Sequence, residues 1–255
     1  QIRSLAYAFQ LTFSKERDGD GDISHFGSLM TSLAATVGTG NIAGVSTAVA
    51  LGGPGAIFWM WVTGLVGMAT KYAEGFLAIK YRDVNKHGEI SGGPMYYLEF
   101  GLKQKWLGIL FAIFGALAAF GIGNMIQSNT IASSLSKTLG TNDFLVGVIL
   151  AFLTGMVVLG GIKRIARITS YFVPLMVLIY FIGATFVILN NLSHLSSGIA
   201  LILEHAFTGT AATGGFAGAT LAQTIRFGVA RGLFSNESGM GSAPIVAAAA
   251  RTNHP

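Results

Sequence analysis

The stretch Gly38-Thr39-Gly40-Asn41-Ile42-Ala43-Gly44 decides the fold that this sequence predicts. It lies midway along an apolar run from about Phe26 to Leu51, which is long enough to cross a bilayer, since a spanning helix needs roughly 20 residues. Glycines and a carboxamide are least expected at the centre of such a helix. Lipid cannot hydrogen-bond freed backbone groups, so an irregular backbone is tolerated only where protein or a polar cavity surrounds it. The stretch therefore predicts a helix break that forms a site.

The same stretch permits two other interpretations. Its glycines resemble a dinucleotide-binding fingerprint, but the spacing is G-x-G-x-x-x-G, no strand precedes it, and no acidic residue follows after about 20 positions. Gly40 and Gly44 also form the small-xxx-small pattern through which membrane helices pack closely. Helix packing needs small residues but no carboxamide, so Asn41 favours a binding break over packing alone.

Composition places the chain among multi-pass membrane proteins. Hydrophobic residues make up 52% and charged residues 11%, whereas soluble domains carry about 25% charged residues. The formal charge is +5, but the basic residues lie in short connections between apolar runs, so a nucleic-acid partner is not expected. The absence of cysteine excludes disulfides, thiolate metal sites and thiol catalysis.

Apolar runs divide the chain into five predicted spanning helices and an interrupted sixth. After the first run, Gly52-Gly53-Pro54-Gly55 predicts a turn. The later runs are Ala56 to Ile79, Trp106 to Leu135, Phe144 to Ile162, Thr169 to Leu189, and Ile199 to Ala250 with interruptions at Thr208 to Gly215 and Ser235 to Ser242.

The basic residues predict how these helices cross the membrane. Three Lys or Arg residues precede the first run. The connections after the first, second, third, fourth and fifth runs carry none, five, one, three and none, respectively. By the positive-inside rule, this alternation predicts a multi-pass protein of the cell (inner) membrane whose N-terminal end is cytoplasmic. It also puts Arg231 at the cytoplasmic end of the sixth segment.

The break recurs later in the chain. Thr39-Gly40-Asn41-Ile42-Ala43-Gly44 corresponds to Thr213-Gly214-Gly215-Phe216-Ala217-Gly218, with Thr, Gly, Ala and Gly matching. Because five predicted helices separate the two starts, the copies cross the membrane in opposite directions. Paired interrupted segments in two halves indicate a transporter site built from inverted repeats.

Six motifs occur in order along the chain: AATVGTGNIAG at 34–44, GGPGAIFWMW at 52–61, GMATKYAE at 67–74, SGGPMYY at 91–97, GIGNMIQSN at 121–129 and GVARGLFSNE at 228–237. Together they resemble the alanine or glycine:cation symporter family, also called sodium:alanine symporters. The resemblance runs from about residue 20 to the C-terminus. It implies an all-α fold, a polytopic membrane helical bundle of the leucine-transporter type with two inverted five-helix repeats.

The resemblance also implies that the chain is incomplete, since family members have one helix before the first predicted one and more after the sixth. Residues 1–25 are then an N-terminal connection with the tail of a missing helix. Residues 26–196 are the first five-helix repeat, and residues 197–255 are a truncated, broken sixth helix that opens the second repeat. The 255 residues alone are not expected to transport.

A zwitterionic amino acid needs a partner of each sign in a nearly dry cavity. The half-helix that begins near Asn41 presents N–H groups and a positive dipole end, which suit a carboxylate, so Thr39, Gly40 and Asn41 are predicted contacts. The preceding half-helix ends near Val37 with carbonyl groups that suit a cation. Resemblance to the leucine-transporter fold implies that the backbone oxygens of Ala34 and Val37 bind a sodium ion.

Polar residues on the third helix are further candidates. Asn124 and Gln127 lie on one face with Phe120, Ile131 and Ser134, at 3–4 spacing. Gln127 is predicted to bind substrate, with Asn124 as a second candidate, and ordinary interhelical hydrogen bonding is the alternative.

The sixth segment supplies the remaining candidates. Its break, Thr213, Gly214, Gly215 and Phe216, is predicted to face the first break, with Phe216 as an apolar wall that favours small substrates. Glu237 lies near the cytoplasmic end and is predicted to form an inner gate with Arg231. A buried intramembrane carboxylate requires a partner in any case, so a pair that only satisfies the charge of Glu237 is the alternative.

The sequence thus predicts symport of a small neutral amino acid, alanine or glycine, with a sodium ion by alternating access. Proton coupling is the alternative within transport, although the first helix has no carboxylate. An enzyme is not predicted, since the chain has no G-x-S-x-G elbow or H-E-x-x-H motif. A channel is disfavoured because selectivity filters are usually rings. The expected partners are the substrate and the lipid bilayer, with no obligate protein partner.

Overall fold

The computed structural model describes residues 5–13, 19–86, 88–208 and 220–252. The helices in chain order are α1 (Leu5–Phe13), α2 (His25–Thr36), α3 (Thr39–Gly52), α4 (Ala56–Lys80), α5 (Pro94–Tyr96), α6 (Lys105–Ala118), α7 (Asn124–Leu139), α8 (Asp143–Val158), α9 (Gly161–Asn190), α10 (Leu192–Thr208), α11 (Leu221–Asn236) and α12 (Ser242–Ala248). π-Helical turns over Tyr97–Gly101 and Ala119–Gly123 follow α5 and α6. A short antiparallel hairpin pairs β1 (Asp83–Val84) with β2 (Ile90–Ser91).

Three helical stretches in these ranges are long and apolar enough to cross a membrane. They are His25–Gly52, which includes the junction of α2 and α3, Lys105–Leu139 and Gly161–Asn190. α8 is also apolar but shorter. The chain is therefore an all-α, multi-pass membrane protein, and this part of the sequence prediction is confirmed.

The order of helices and turns follows the prediction, but some boundaries differ. The turn before Ala56 and the interruption between α11 and α12 are confirmed. α9 begins at Gly161 instead of near Thr169, and α10 begins at Leu192 instead of near Ile199. The first turns of both helices expose polar or charged side chains, so the apolar pattern marks only part of each helix.

The described helices group into two compact units, the first formed by residues 1–35, 71–173 and 239–255 and the second by residues 36–70 and 174–238. In the first unit, Ile23, Ala166 and Ala249 form a buried cluster on which Ile162 and Val246 pack. In the second unit, α3 packs along α11.

Arg82 ties separate segments of the first unit together. Its guanidinium donates to the backbone carbonyls of Asp20, Ala248, Ala250 and Thr252. Burial lowers the pKa of Arg82, and the charge of Asp20 opposes this shift. The arginine stays charged at neutral pH, so four carbonyls from two distant segments share one cation.

Arg82→Lys is expected to lower the free energy of unfolding by about 3 kcal/mol, because an ammonium group cannot reach four carbonyls and hydrogen bonds to charged groups contribute about 1.5–3 kcal/mol each. Chemical denaturation in nanodiscs, followed by circular dichroism, measures the change. Arg226→Lys is the control, since Arg226 is exposed on α11 and its effect should stay within about 0.5 kcal/mol. Equal losses from the two substitutions would contradict the role given to Arg82.

Candidate functional site

The predicted helix break is present at Val37 and Gly38. α2 ends at Thr36 and α3 begins at Thr39. Gly38 has an extended backbone, with φ −163° and ψ −147°, and interrupts the helix within the first apolar stretch. Two residues are thus enough to end one helix and start the next.

Asn41 closes this break with its carboxamide. Its Oδ1 accepts a hydrogen bond from the Gly38 N–H at 3.0 Å, and its own backbone N–H donates to the Gly38 carbonyl at 3.1 Å. Its Nδ2 donates to the hydroxyl of Ser235 on α11 at 2.7 Å. The side chain therefore caps the first turn of α3 and joins that turn to α11.

The small residues of α3 form a buried face. Gly40, Gly44, Ala48 and Gly52 recur at four-residue intervals, and all four are buried. A Cβ at Gly40 would lie only 3.2 Å from Cδ1 of Phe234 on α11. Gly40 therefore allows close packing on α11, as the alternative interpretation predicts, whereas a Cβ at Gly44 would meet no atom of another helix within 4 Å. Asn41 performs the separate task of capping the break.

A cavity of about 260 Å³ lies in the same unit. Its lining is mostly apolar, with Ser235 and Asn236 as the polar side chains: Val45, Ile57, Met60, Trp61, Gly64, Gly232, Ser235 and Asn236. Thr39, Gly40 and Asn41 are not among the lining residues. Ser235 therefore belongs both to the cavity wall and to the contact that holds Asn41.

Asn124 and Gln127 line a larger cavity of about 620 Å³ between α7 and α8 in the first unit. Ile131 lies on the same wall, as the predicted spacing requires, whereas Phe120 and Ser134 do not line this cavity. Phe120 lies in the π-helical turn that follows α6. A π turn has a different residue spacing from an α-helix, so it shifts Phe120 out of register with Asn124.

Arg231 and Glu237 are not joined by an ion pair in the part of the chain that the structure describes, where the ion pairs are Lys105–Glu99 and Lys163–Asp22. Glu237 follows the end of α11 in the left-handed region, with φ 54°, and its N–H donates to the Leu233 carbonyl at 2.8 Å. Its position therefore terminates the helix, and the inner gate stays a prediction.

The remaining predicted site residues have the following places. Ala34 is exposed in the last turn of α2, and Val37 is half-buried within the break. Thr213, Gly214, Gly215 and Phe216 lie outside the described residues. Within the described ranges, no group of three or more His, Cys, Asp or Glu side chains could hold a metal ion.

Ser235 and Glu74 have contacts that the sequence did not predict. Glu74 is a buried carboxylate on α4, and its Oε2 accepts a hydrogen bond from the Gly239 N–H at 3.3 Å. Burial, together with the charge of Glu74, raises the pKa of Tyr97. The sequence does contain a signal for Glu74, because it is the single carboxylate in the apolar run from Ala56 to Ile79. Ser235 lies 194 residues from Asn41, and no local pattern pairs them.

A broken, capped helix inside an all-α, multi-pass membrane protein is a feature found in secondary transporters. The sequence model of the sodium:alanine symporter family matches residues 1–255. The chain belongs to that family, and the predicted resemblance is confirmed.

Named relatives agree with this assignment. The chain is 53% identical over 261 residues to the "Sodium/alanine symporter AgcS" of Methanococcus maripaludis, covering 100% of this chain and 57% of the relative. It is 45% identical over 233 residues to the "Probable sodium/glutamine symporter GlnT" of Bacillus subtilis, covering 91% of this chain and 48% of the relative. It is 40% identical over 255 residues to the "Amino-acid carrier protein AlsT" of Bacillus subtilis, covering 100% of this chain and 54% of the relative. The chain spans about half the length of these curated relatives.

Proposed function

We propose that the protein to which this chain belongs is a secondary active symporter that moves a small neutral amino acid, alanine or glycine, together with sodium by alternating access. The observation that carries the proposal is the break at Val37 and Gly38, since helices interrupted at membrane depth form the substrate sites of secondary transporters. Relatives named as sodium/alanine and sodium/glutamine symporters support the class of substrate and the coupling ion.

The first turn of α3 is the proposed site for the substrate carboxylate. Thr39 and Gly40 lie at the positive end of the α3 dipole, which is equivalent to about half an elementary charge. Asn41 holds this turn through Gly38 and Ser235, so the N–H groups keep a fixed direction. A fixed turn lowers the ordering cost of binding a carboxylate.

The sodium ion is proposed to bind the backbone oxygens of Ala34 and Val37, at the carboxyl end of α2. Carbonyl groups at such helix ends coordinate cations in transporters with interrupted helices. Asn124 and Gln127 on α7 are proposed as further substrate contacts. Thr213, Gly214, Gly215 and Phe216 complete the proposed substrate site on the ground of the sequence repeat.

The proposed architecture is the leucine-transporter type of inverted-repeat fold. Residues 26–196 would be the first repeat, and residues 197–255 would open the second. The alternation of Lys and Arg supports a cytoplasmic start in the cell membrane. With that topology, Arg231 and Glu237 lie on the cytoplasmic side and form the proposed inner gate.

Glu74 supports a second candidate, coupling to protons in place of sodium. Proton coupling needs a carboxylate inside the membrane protein that gains and loses charge. Glu74 is 8% exposed on α4 and contacts the backbone N–H of Gly239. It is the residue on which a proton-coupled mechanism would depend.

The deciding experiment uses the longest native protein that carries this chain, reconstituted in liposomes. Uptake of labelled alanine is measured under an inward sodium gradient and, separately, in potassium with an inward proton gradient. We expect uptake with sodium alone. Uptake with protons alone would overturn the sodium site, and no uptake under either gradient would overturn the alanine assignment.

Glu74→Gln is the matched variant for this assay, because glutamine keeps the shape and the acceptor oxygen of Glu74 while removing its charge. Sodium-driven uptake is expected to persist in this variant. If proton-driven uptake is found and Glu74→Gln abolishes it, the proton mechanism replaces the sodium mechanism.

A further inference from the structure

α10 is an amphipathic helix with an exposed apolar face. At 100° per residue, five of its apolar side chains fall within about 120° of the helix circumference, with Ser196 between them. Leu192, Leu195, Ile199, Leu203 and Phe207 on this side are between 42% and 58% exposed. The opposite side carries Ser193, His194, Ser197, Glu204, His205 and Thr208, with Leu201 among them. We call the first set the apolar face of α10 and the second its polar face.

α10 begins directly where a spanning helix ends. α9 covers 30 residues and is one of the stretches apolar enough to cross a membrane. Only Asn191 separates its last residue from Leu192. Since α9 leaves the apolar layer at its end, a helix that starts one residue later starts at the membrane surface.

Aromatic rings surround the other end of α10. Phe207 contacts Phe58 and Trp59 of α4, with ring centroids 5.1 Å and 5.9 Å apart. The indole N–H of Trp59 donates to the carbonyl of Ala206 at 2.9 Å. Aromatic residues with a polar tip concentrate at the boundary between lipid and water. Both ends of α10 are thus tied to the boundary region.

The polar face is suited to uncharged or zwitterionic headgroups. No Lys or Arg occurs between residues 168 and 225. Attraction to anionic lipids, which requires basic side chains, is therefore not what holds this helix. Its binding depends on the apolar area that it can bury.

We propose that α10 lies in the plane of the membrane interface, with its apolar face against the acyl chains and its polar face toward headgroups and water. The partner that this surface fits is the phospholipid bilayer. A helix of this amphipathic kind binds at the headgroup and acyl boundary without crossing the bilayer. Through the Trp59 contact, α10 also fixes the start of α4 at that depth. This inference is independent of the substrate or the coupling ion.

Single spin labels test the arrangement in the full protein, reconstituted in phosphatidylcholine liposomes. Cysteines replace Leu195, Ile199 and Leu203 on the apolar face, and Ser197 and Glu204 on the polar face are the matched controls. Collisions with oxygen, which dissolves in lipid, and with a water-soluble nickel chelate are measured by electron paramagnetic resonance. We expect the ratio of oxygen collisions to nickel-chelate collisions to be on the order of tenfold higher on the apolar face than on the polar face. We also expect the labels at Leu195 and Leu203 to lie at equal depths in the membrane.

Three outcomes would overturn the proposal. A depth difference of about 12 Å between Leu195 and Leu203, the rise of eight helical residues, would show that α10 crosses the bilayer. Exclusion of both reagents from the apolar face would show that protein covers it. Equal access of the nickel chelate to both faces would place the helix in water.

Discussion

Asn41→Ala is expected to lower the initial rate of sodium-driven alanine uptake about tenfold, because losing a hydrogen-bond partner costs about 1–3 kcal/mol and 1.4 kcal/mol is a factor of ten. The substitution removes the acceptor of the Gly38 N–H and the donor to Ser235 at once. The α3 turn then loses its cap and its link to α11. Uptake of labelled alanine into liposomes, over a range of alanine concentrations, gives the rate and KM.

Ser235→Ala separates the two contributions of Asn41. It removes the link between α3 and α11 but leaves the cap on Gly38 intact. If Asn41 acts only through Ser235, the two single variants and the double variant lower uptake equally. If Asn41→Ala lowers the uptake rate more than Ser235→Ala does and also raises the KM for alanine, the difference measures the role of the capped turn in substrate binding. Unchanged uptake by Asn41→Ala would contradict the site assignment.

Gly228→Leu is expected to prevent the second unit from folding, with a loss of about 3 kcal/mol, since overpacking against backbone cannot be relieved by side-chain rotation. Gly228 is buried on α11, where a Cβ would lie 2.6 Å from the Ala56 carbonyl oxygen and 2.6 Å from the Trp59 Cβ. Size-exclusion chromatography of detergent-solubilised protein measures the result, as loss of the monodisperse peak.

Gly183→Leu is the matched control for this helix glycine. A Cβ at Gly183 on α9 would meet no atom within 4 Å. This variant is expected to elute like the unsubstituted protein. A monodisperse peak from Gly228→Leu would show that α11 and α4 do not pack as described, and aggregation of both variants would show that the loss comes from leucine itself.

The helix order and the first break were predictable because they depend on local composition. Glycine and asparagine in an apolar run disfavour a continuous helix, and the break at Val37 and Gly38 falls at the start of the glycine-rich stretch. Helix ends were less predictable, since α9 and α10 continue through polar residues. Hydropathy reports which residues enter lipid, whereas helix ends depend on backbone hydrogen bonds.

Partners distant in sequence were not predictable. The Asn41–Ser235 hydrogen bond joins residues that belong to separate motifs, and tertiary packing alone brings them together. Arg82 likewise shows no sequence signal for the four carbonyls that it binds. The π-helical turn before Asn124 was also unforeseen, and it changed which residues of the third predicted helix line a cavity.

The buried face of α3 has a mechanical consequence. Facing helices usually interlock as ridges in grooves, so one slides past another only by lifting out of register. Gly40, Gly44, Ala48 and Gly52 give α3 almost no ridges toward α11. Steric resistance to sliding would therefore be small, and the Asn41–Ser235 hydrogen bond, worth about 0.5–1.5 kcal/mol, holds α3 in its present register along α11.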